Sequence, residues 1–232
     1  ISIEWKRIDE IYDAPLFDEK LINSDFVQQG KLGDCSFICA ISRISQDPIL
    51  VSDLFDHTAD TILGPKINSI NIDCGAVVIF FHAFGRETPV LIDTLIPFNR
   101  YTTIPIFSRP VSRKVSPWFC LVEKAFAKLQ GSYSNIIGVS FTDSIYYLFG
   151  YDKNIILFSD LFKKTPFEKI EKNLKKGAVM NTVINSSQTH FTNDQLDLVG
   201  LIPDHSYLIE KALVFKGMKF LLLRNPWGVF EW

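Results

Sequence analysis

No apolar run in this 232-residue chain approaches the ~18–20 residues needed to span a bilayer. The longest candidate, residues 75–84, has the length of a strand. Charge of one sign is not in surplus either. There are 24 basic and 26 acidic residues for a net charge of −2, so no electrostatic reason exists to expect a nucleic acid or an anionic membrane as partner. Internal repeats and low-complexity stretches are absent. So are a CxxC pair and an HExxH motif, and Asp34, Asp73, Asp93 and Asp204 are too scattered to set a metal-ligand spacing. Cysteine is sparse: Cys35, Cys39, Cys74 and Cys120. A chain of this size does not need disulfide staples. Cys39 and Cys120 fall within apolar helical patterns as small core residues, which favours a reducing, intracellular setting. The chain begins at Ile1 rather than Met and stops at Trp232, so we expect a segment of a longer protein, and the lack of a signal peptide excludes nothing.

What is present suits a packed core. The chain is 47% hydrophobic and 22% charged, which is ordinary globular usage, and its 20 Phe residues read as core filling. Phe37, Ile38, Ile41 and Ile44 recur at helical spacing behind Asp34, a plausible N-cap, which puts Cys35 in the first turn of a buried helix. Residues 76–84 and 89–96, split by Gly85-Arg86-Glu87, read as a hairpin of buried strands. A second helix is expected over 118–129, stopped by Gly131. From about Val139 the texture changes. Thr165-Pro166-Phe167-Glu168 is a capping box opening a helix that ends at Gly177. Residues 178–184, 206–215 and 218–223 are strand-like, with Lys216-Gly217 as a tight turn. Helices in the first half and strands in the second predict an α+β protein of two unlike lobes, residues 1–138 and 139–232.

Four short stretches carry chemistry. The first is Gln29-Gly30-Lys31-Leu32-Gly33-Asp34-Cys35. A thiolate is the working nucleophile, and a helix N-terminus favours it through partial positive charge and unpaired N–H groups. Gly30 and Gly33 allow close backbone approach where a substrate carbonyl would sit. The Gln29 carboxamide can donate to a developing oxyanion alongside the Cys35 N–H. Asp204-His205-Ser206-Tyr207 offers His205 as a general base at the start of a strand. Arg224-Asn225-Pro226-Trp227-Gly228 offers the Asn225 carbonyl oxygen to hold the imidazole, with Trp227 to cover that bond. Each has a bland reading: a buried structural Cys, a solvent-facing Gln, an edge His and an Asn-Pro turn. The set and its order, Cys then His then Asn, outweigh them. Of the other histidines, His57 sits in a polar loop and His82 in an apolar run, so His190 is the rival base.

These motifs resemble the calpain family of papain-type cysteine proteases over nearly the whole chain. Trp5-Lys6-Arg7 with Glu10-Ile11 is similar to the family's opening segment, and residues 29–35 match QGxLGDC at every fixed position. Val90-Leu91-Ile92-Asp93 through Leu95 and Pro97, then Trp118 with residues 121–133, then Phe141-Thr142, then residues 225–228 with Glu231-Trp232, resemble further family motifs in order. The resemblance implies a two-lobed papain-like core, with a helical lobe carrying the Cys and a β-rich lobe carrying the His and Asn. It assigns Cys35 as nucleophile, His205 as base, Asn225 as orienter and Gln29 as oxyanion donor. It also implies limited proteolysis of protein substrates in the cytoplasm, and flanking domains beyond this chain.

The departures from the family pattern are specific. Ser36 replaces the Trp that follows the Cys, which loosens the cleft. Asp204 replaces the Gly before the His, where a carboxylate would raise the imidazole pKa or block backbone approach. In the family each lobe holds a Ca²⁺. The first-lobe carboxylates are replaced here by Phe26 and Ser134, with Asp25 offset by one residue, so that site is expected to be lost. In the second lobe Glu231 matches a ligand position, but its partner Asp would lie beyond Trp232. A calpain-like endopeptidase is the first reading. A catalytically silent calpain-like binding or regulatory module is the alternative, and acyl transfer to an amine is a third use of the same chemistry.

Overall fold

The computed structural model describes residues 2–18, 20, 22–55, 70–71, 75–102, 104–150 and 166–229. Its core is built by two helices and a hairpin. α1 (Cys35–Ile44) starts at the expected residue, and α3 is the expected helix Trp118–Leu129; α2 (Pro48–Ser52) is a short turn between them, capped by the Asp47 side chain. The buried faces of α1 and α3 meet at Phe37 and Phe126, whose rings stack at 4.2 Å and 9°. Phe81 completes this cluster from the hairpin, 5.8 Å from Phe126.

That hairpin is β4 (Ala76–Ala83) with β5 (Arg86–Asp93), and β3 (Ile70–Asn71) pairs with β4 on its other side. The loop is shorter than expected. Ala83 faces Arg86, and only Phe84 and Gly85 turn, both at positive φ (55° and 72°). This is the backbone that two-residue hairpins need to match strand twist. The second strand also ends sooner. Asp93 Oδ1 accepts the Leu95 N–H at 2.8 Å, a local turn that breaks the ladder at Thr94. The chain continues as β6 (Leu95–Asn99), which pairs instead with the N-terminal β1 (Ile3–Arg7), Lys6 opposite Ile96. β2 (Val27–Gln28) and β7 (Arg109–Pro110) form another small antiparallel pair.

The expected division into a helical first half and a stranded second half is corrected. Among the described residues β1 to β7 all precede residue 111, because short antiparallel pairs wrap the α1–α3 core on several sides. The fold is α+β throughout. α4 (Phe141–Phe149) is a helix that the sequence reading did not include. Ser140 caps it, its Oγ accepting the Asp143 N–H at 3.0 Å, and Phe141 and Leu148 enter the same core as α1. Residues on both sides of position 138 therefore share one hydrophobic core.

Beyond it, α5 (Pro166–Lys175) begins at the expected Pro, and Thr165 of the expected capping box lies outside the described residues. The strand expected over 178–184 is reduced to β8 (Asn181–Val183). α6 (Asn193–Asp197) carries a capping box of Thr192 and Gln195 that sequence reading overlooked. β9 (Ser206–Phe215) and β10 (Met218–Arg224) form the expected hairpin around Lys216-Gly217, with β8 on the far side of β9. A bulge interrupts that hairpin. Leu222 faces Lys211 but Leu223 faces Ile209, so Glu210 is the extra residue. Cys39 and Cys120 are free and buried, as expected, and Cys74 lies outside the described residues. Among the described residues no helix is long and apolar enough to cross a membrane.

Candidate active site

The bulge matters at the open end of the β9–β10 hairpin. It shifts β10 so that Arg224 faces Leu208, and Asn225 is carried one residue closer to His205 than an unbroken ladder would allow. His205 and Asn225 meet there: Nε2 of the imidazole lies 2.8 Å from Asn225 Oδ1. Asn225 is itself held. Its Oδ1 also accepts the Trp227 N–H at 3.1 Å, and its Nδ2 donates to the Val229 carbonyl at 3.0 Å. The Trp227 ring lies 4.6 Å from the imidazole, and Tyr207 stands edge-on at 5.0 Å on another side. His205 is 4% exposed, so Trp227 covers the bond as expected. With Nε2 committed to Asn225, Nδ1 is the nitrogen left for chemistry.

The helix that begins with Cys35 docks on this strand. Cys39 Sγ–H donates to the Ser206 carbonyl at 3.3 Å, in the residue directly after His205. Cys35 is one helical turn earlier on the same face of α1, the first residue of the helix, and only partly buried. The Gln29 segment closes the third side. Its backbone N–H donates to the Pro226 carbonyl at 2.8 Å, between Asn225 and Trp227. Gly30 then passes so close to the 106–107 backbone that a Cβ there would sit 2.0 Å from the Phe107 carbonyl oxygen. The role read for Gly30 is thereby corrected, since what approaches it is protein backbone rather than a substrate carbonyl.

Two further expectations change. Gln29 is buried, and its Nε2 donates to the Leu32 carbonyl at 2.7 Å and, over a longer 3.4 Å, to Asp34 Oδ1. Its N–H groups are therefore engaged within the loop, and the longer contact is the one a developing oxyanion would displace. Asp34 stands at the N-cap position of α1, but its side chain makes no cap bond. It turns inward instead, toward Gln29 and toward Glu123 on α3. Glu123 was not singled out from the sequence. Its signal was available: an acidic residue inside a run of buried helix positions from Trp118 to Ala127.

Asp204 does not act as expected. Its backbone is left-handed, φ 53°, which explains why glycine suits that position. The carboxylate faces away and accepts the Ser186 N–H at 3.0 Å, a bond that holds its pKa down. The His205 pKa is lowered from 6.5, not raised. Burial disfavours the imidazolium, and the hydrogen bond to Asn225 only partly offsets this. A depressed His pKa means the unfolded chain binds more protons, so this contribution to stability is present above about pH 6.5 and is lost as pH falls. In a Cys35→Ala background, the His205 imidazole should titrate below 6.5 by NMR, and lower still with Asn225→Ala added. A rise on removing Asn225 would contradict the assigned hydrogen bond.

Among the rivals, His190 lies in an exposed bend, His82 packs on β4 against Gly150, and His57 lies outside the described residues. Ser36 is partly buried in the first turn of α1. Asp25 is ion-paired with Arg224, whose Nε also meets Glu210. Glu231 lies outside the described residues, and no cluster of three metal-ligating side chains occurs among those described.

An imidazole fixed by a carboxamide, beside a helix that opens on a cysteine in an α+β fold, is the layout of a cysteine protease. The model of the calpain family cysteine protease matches residues 1–232, and the chain belongs to that family. It is 26% identical to Calpain-5 of Caenorhabditis elegans over 260 residues, covering 100% of this chain and 38% of that protein. It is 29% identical to Calpain-8 of Rattus norvegicus over 239 residues, covering 100% of this chain and 32% of the relative. Against the Calpain-1 catalytic subunit of Gallus gallus the identity is 27% over 239 residues, with 100% and 32% covered. The chain thus spans about a third of the length of these curated relatives.

Proposed function

We propose that the chain is the protease core of a cytoplasmic calpain-like endopeptidase that cuts protein substrates at limited sites and works with flanking domains. In this reading residues 1–138 form the lobe of the nucleophile and residues 139–232 that of the base and orienter. The observation that carries it is the buried His205–Asn225 pair at 2.8 Å, docked on the α1 face that begins with Cys35. The His205 Nδ1 takes the proton from Cys35 Sγ, and the thiolate attacks the scissile carbonyl. The Cys35 N–H and Gln29 Nε2 receive the oxyanion. The imidazolium returns its proton to the leaving amine, and water activated by the same Nδ1 then hydrolyses the thioester. Asn225 holds the ring in the productive tautomer throughout.

An epoxysuccinyl thiol probe and an unstructured protein substrate test this on the full chain, with and without Ca²⁺. Labelling at Cys35 that is lost in His205→Ala supports the reading. Neither labelling nor hydrolysis under both conditions overturns it.

Calcium in the first lobe does not fit the residues present. Phe26 has no side-chain oxygen, Ser134 has a neutral hydroxyl, and the Asp25 carboxylate is paired with Arg224. A Ca²⁺ ion needs several hard oxygens, mostly carboxylates. No step of the proposed reaction uses it. In calorimetry on the full chain, Asp25→Ala should leave the Ca²⁺ isotherm unchanged. A micromolar site abolished by that substitution would show that Asp25 leaves Arg224 to rebuild the site.

A further inference from the structure

Beneath the candidate nucleophile lie two acids that the chemistry above does not use. Asp34 is 1% exposed and Glu123 is 2% exposed. Acidic side chains are almost never so buried without a partner. Among the described residues neither forms an ion pair, and no Lys, Arg or His donates a hydrogen bond to either. They lie close enough to hydrogen-bond to each other once one of them holds a proton. Two carboxylates hold none, and two adjacent negative charges in a dry interior repel strongly.

The surrounding contacts are all neutral. Glu123 accepts the Ser108 N–H on both oxygens, at 3.2 and 3.0 Å, and meets the Ser108 hydroxyl at 2.6 Å. Asp34 Oδ1 accepts Gln29 Nε2 at 3.4 Å, while its Oδ2 has no amide, hydroxyl or basic donor. The other titratable groups facing the pair are the Cys120 thiol on α3 and the Tyr133 phenol. Cys120 donates to the Ser108 carbonyl at 3.2 Å. Burial first, and the neighbouring carboxyls second, push Cys120 and Tyr133 upward, so both stay neutral.

We propose that Asp34 and Glu123 share one buried proton, and that this pair is a positioning device for the Gln29 carboxamide; the second half of the proposal rests on the protease reading above. Burial pushes Asp34 up to about 7, and burial together with the Asp34 charge pushes Glu123 well above the usual carboxylate range. The positive end of α1 and the Gln29 amide both favour the charge on Asp34, which leaves the proton on Glu123. Through these bonds the pair joins the 29–34 loop, the 106–108 segment and α3. Its retained proton also limits the charge behind the oxyanion position to a single unit, where a second would oppose the transition state.

Infrared difference spectra on the full chain read the proton directly, and kinetics read the positioning. Glu123→Gln offers Asp34 the same kind of donor and Ser108 the same acceptor, without a titrating proton. Wild type at neutral pH should show the C=O stretch of a protonated carboxyl, moved by D2O and absent in Glu123→Gln. Glu123→Gln should lower kcat by less than about tenfold, and Glu123→Ala by on the order of 100-fold with KM little changed, because an oxyanion donor acts in the transition state. If Glu123→Ala does not fold, the band and the Glu123→Gln kinetics decide. A band that survives in Glu123→Gln overturns the shared proton, as does hydrolysis by wild type without the band, which leaves the protease reading standing. Glu123→Ala as active as Glu123→Gln overturns the positioning role. The band without any hydrolysis keeps the proton and overturns that role together with the protease reading.

Discussion

Cys35→Ala and His205→Ala are each expected to lower kcat/KM on an unstructured protein substrate by on the order of 10⁵. The double variant should be little worse than either, since in the proposed mechanism the two act as one unit. Asn225→Ala belongs in the same series with a smaller loss, about 100-fold. It removes the oxygen that holds Nε2 at 2.8 Å, but leaves the ring packed between Trp227 and Tyr207. Steady-state kinetics on purified, folded variants check the series. His205→Ala retaining more than a tenth of wild-type activity would place the base elsewhere, and His190→Ala would be the next variant to measure.

Gly30→Ala should destabilise the protein by about 3 kcal/mol, the upper end of overpacking costs. The added Cβ would lie 2.0 Å from the Phe107 carbonyl oxygen and 2.5 Å from that of Ile106. These are backbone atoms, so no side chain can rotate out of the way. The two segments must separate, straining the Lys31 N–H bond to Ile106 and, one residue back, the Gln29 bond to Pro226, both 2.8 Å. Activity should fall with stability. Gly33→Ala is the control, since its Cβ would meet only the Ile137 Cγ2 at 3.3 Å, on an exposed side chain with room to shift. For a chain of this size the first variant should melt about 9 °C lower and the second within a few degrees of wild type. Equal melting temperatures would show that the 106–107 backbone yields freely.

The helices that carry the site were legible because both are long and strongly periodic. Cys35 at the start of α1, Gly131 after α3, and the 216–217 turn followed from local chemistry that tertiary packing did not override. The His205–Asn225 juxtaposition was legible too, because both residues flank the open end of one hairpin. Other features depended on partners distant in sequence. β1 is a strand only because β6 lies beside it. Gly30 looked like a substrate-facing residue because Phe107 is far along the chain. Asp34 had the sequence signature of a helix cap, but its side chain turns inward to Gln29 and toward the buried Glu123 on α3. Asp204 looked like an electrostatic neighbour of His205, but sequence adjacency says nothing of direction, and its carboxylate is turned to Ser186.

The extra residue at Glu210 divides the β9–β10 hairpin into two parts with separate tasks. On the site side, only Ser206 to Ile209 and Leu223 to Arg224 set the spacing between His205 and Asn225. On the far side, Leu213 to Phe215 and Met218 are exposed and bear on neither residue. Glu210 itself is clamped to Arg224 across the step in register. Residues could therefore be added or removed in pairs at the tip, altering the reach and surface of the hairpin, while the distance between imidazole and carboxamide stays fixed. Drift in length at one end and constancy at the other become compatible within a single pair of strands.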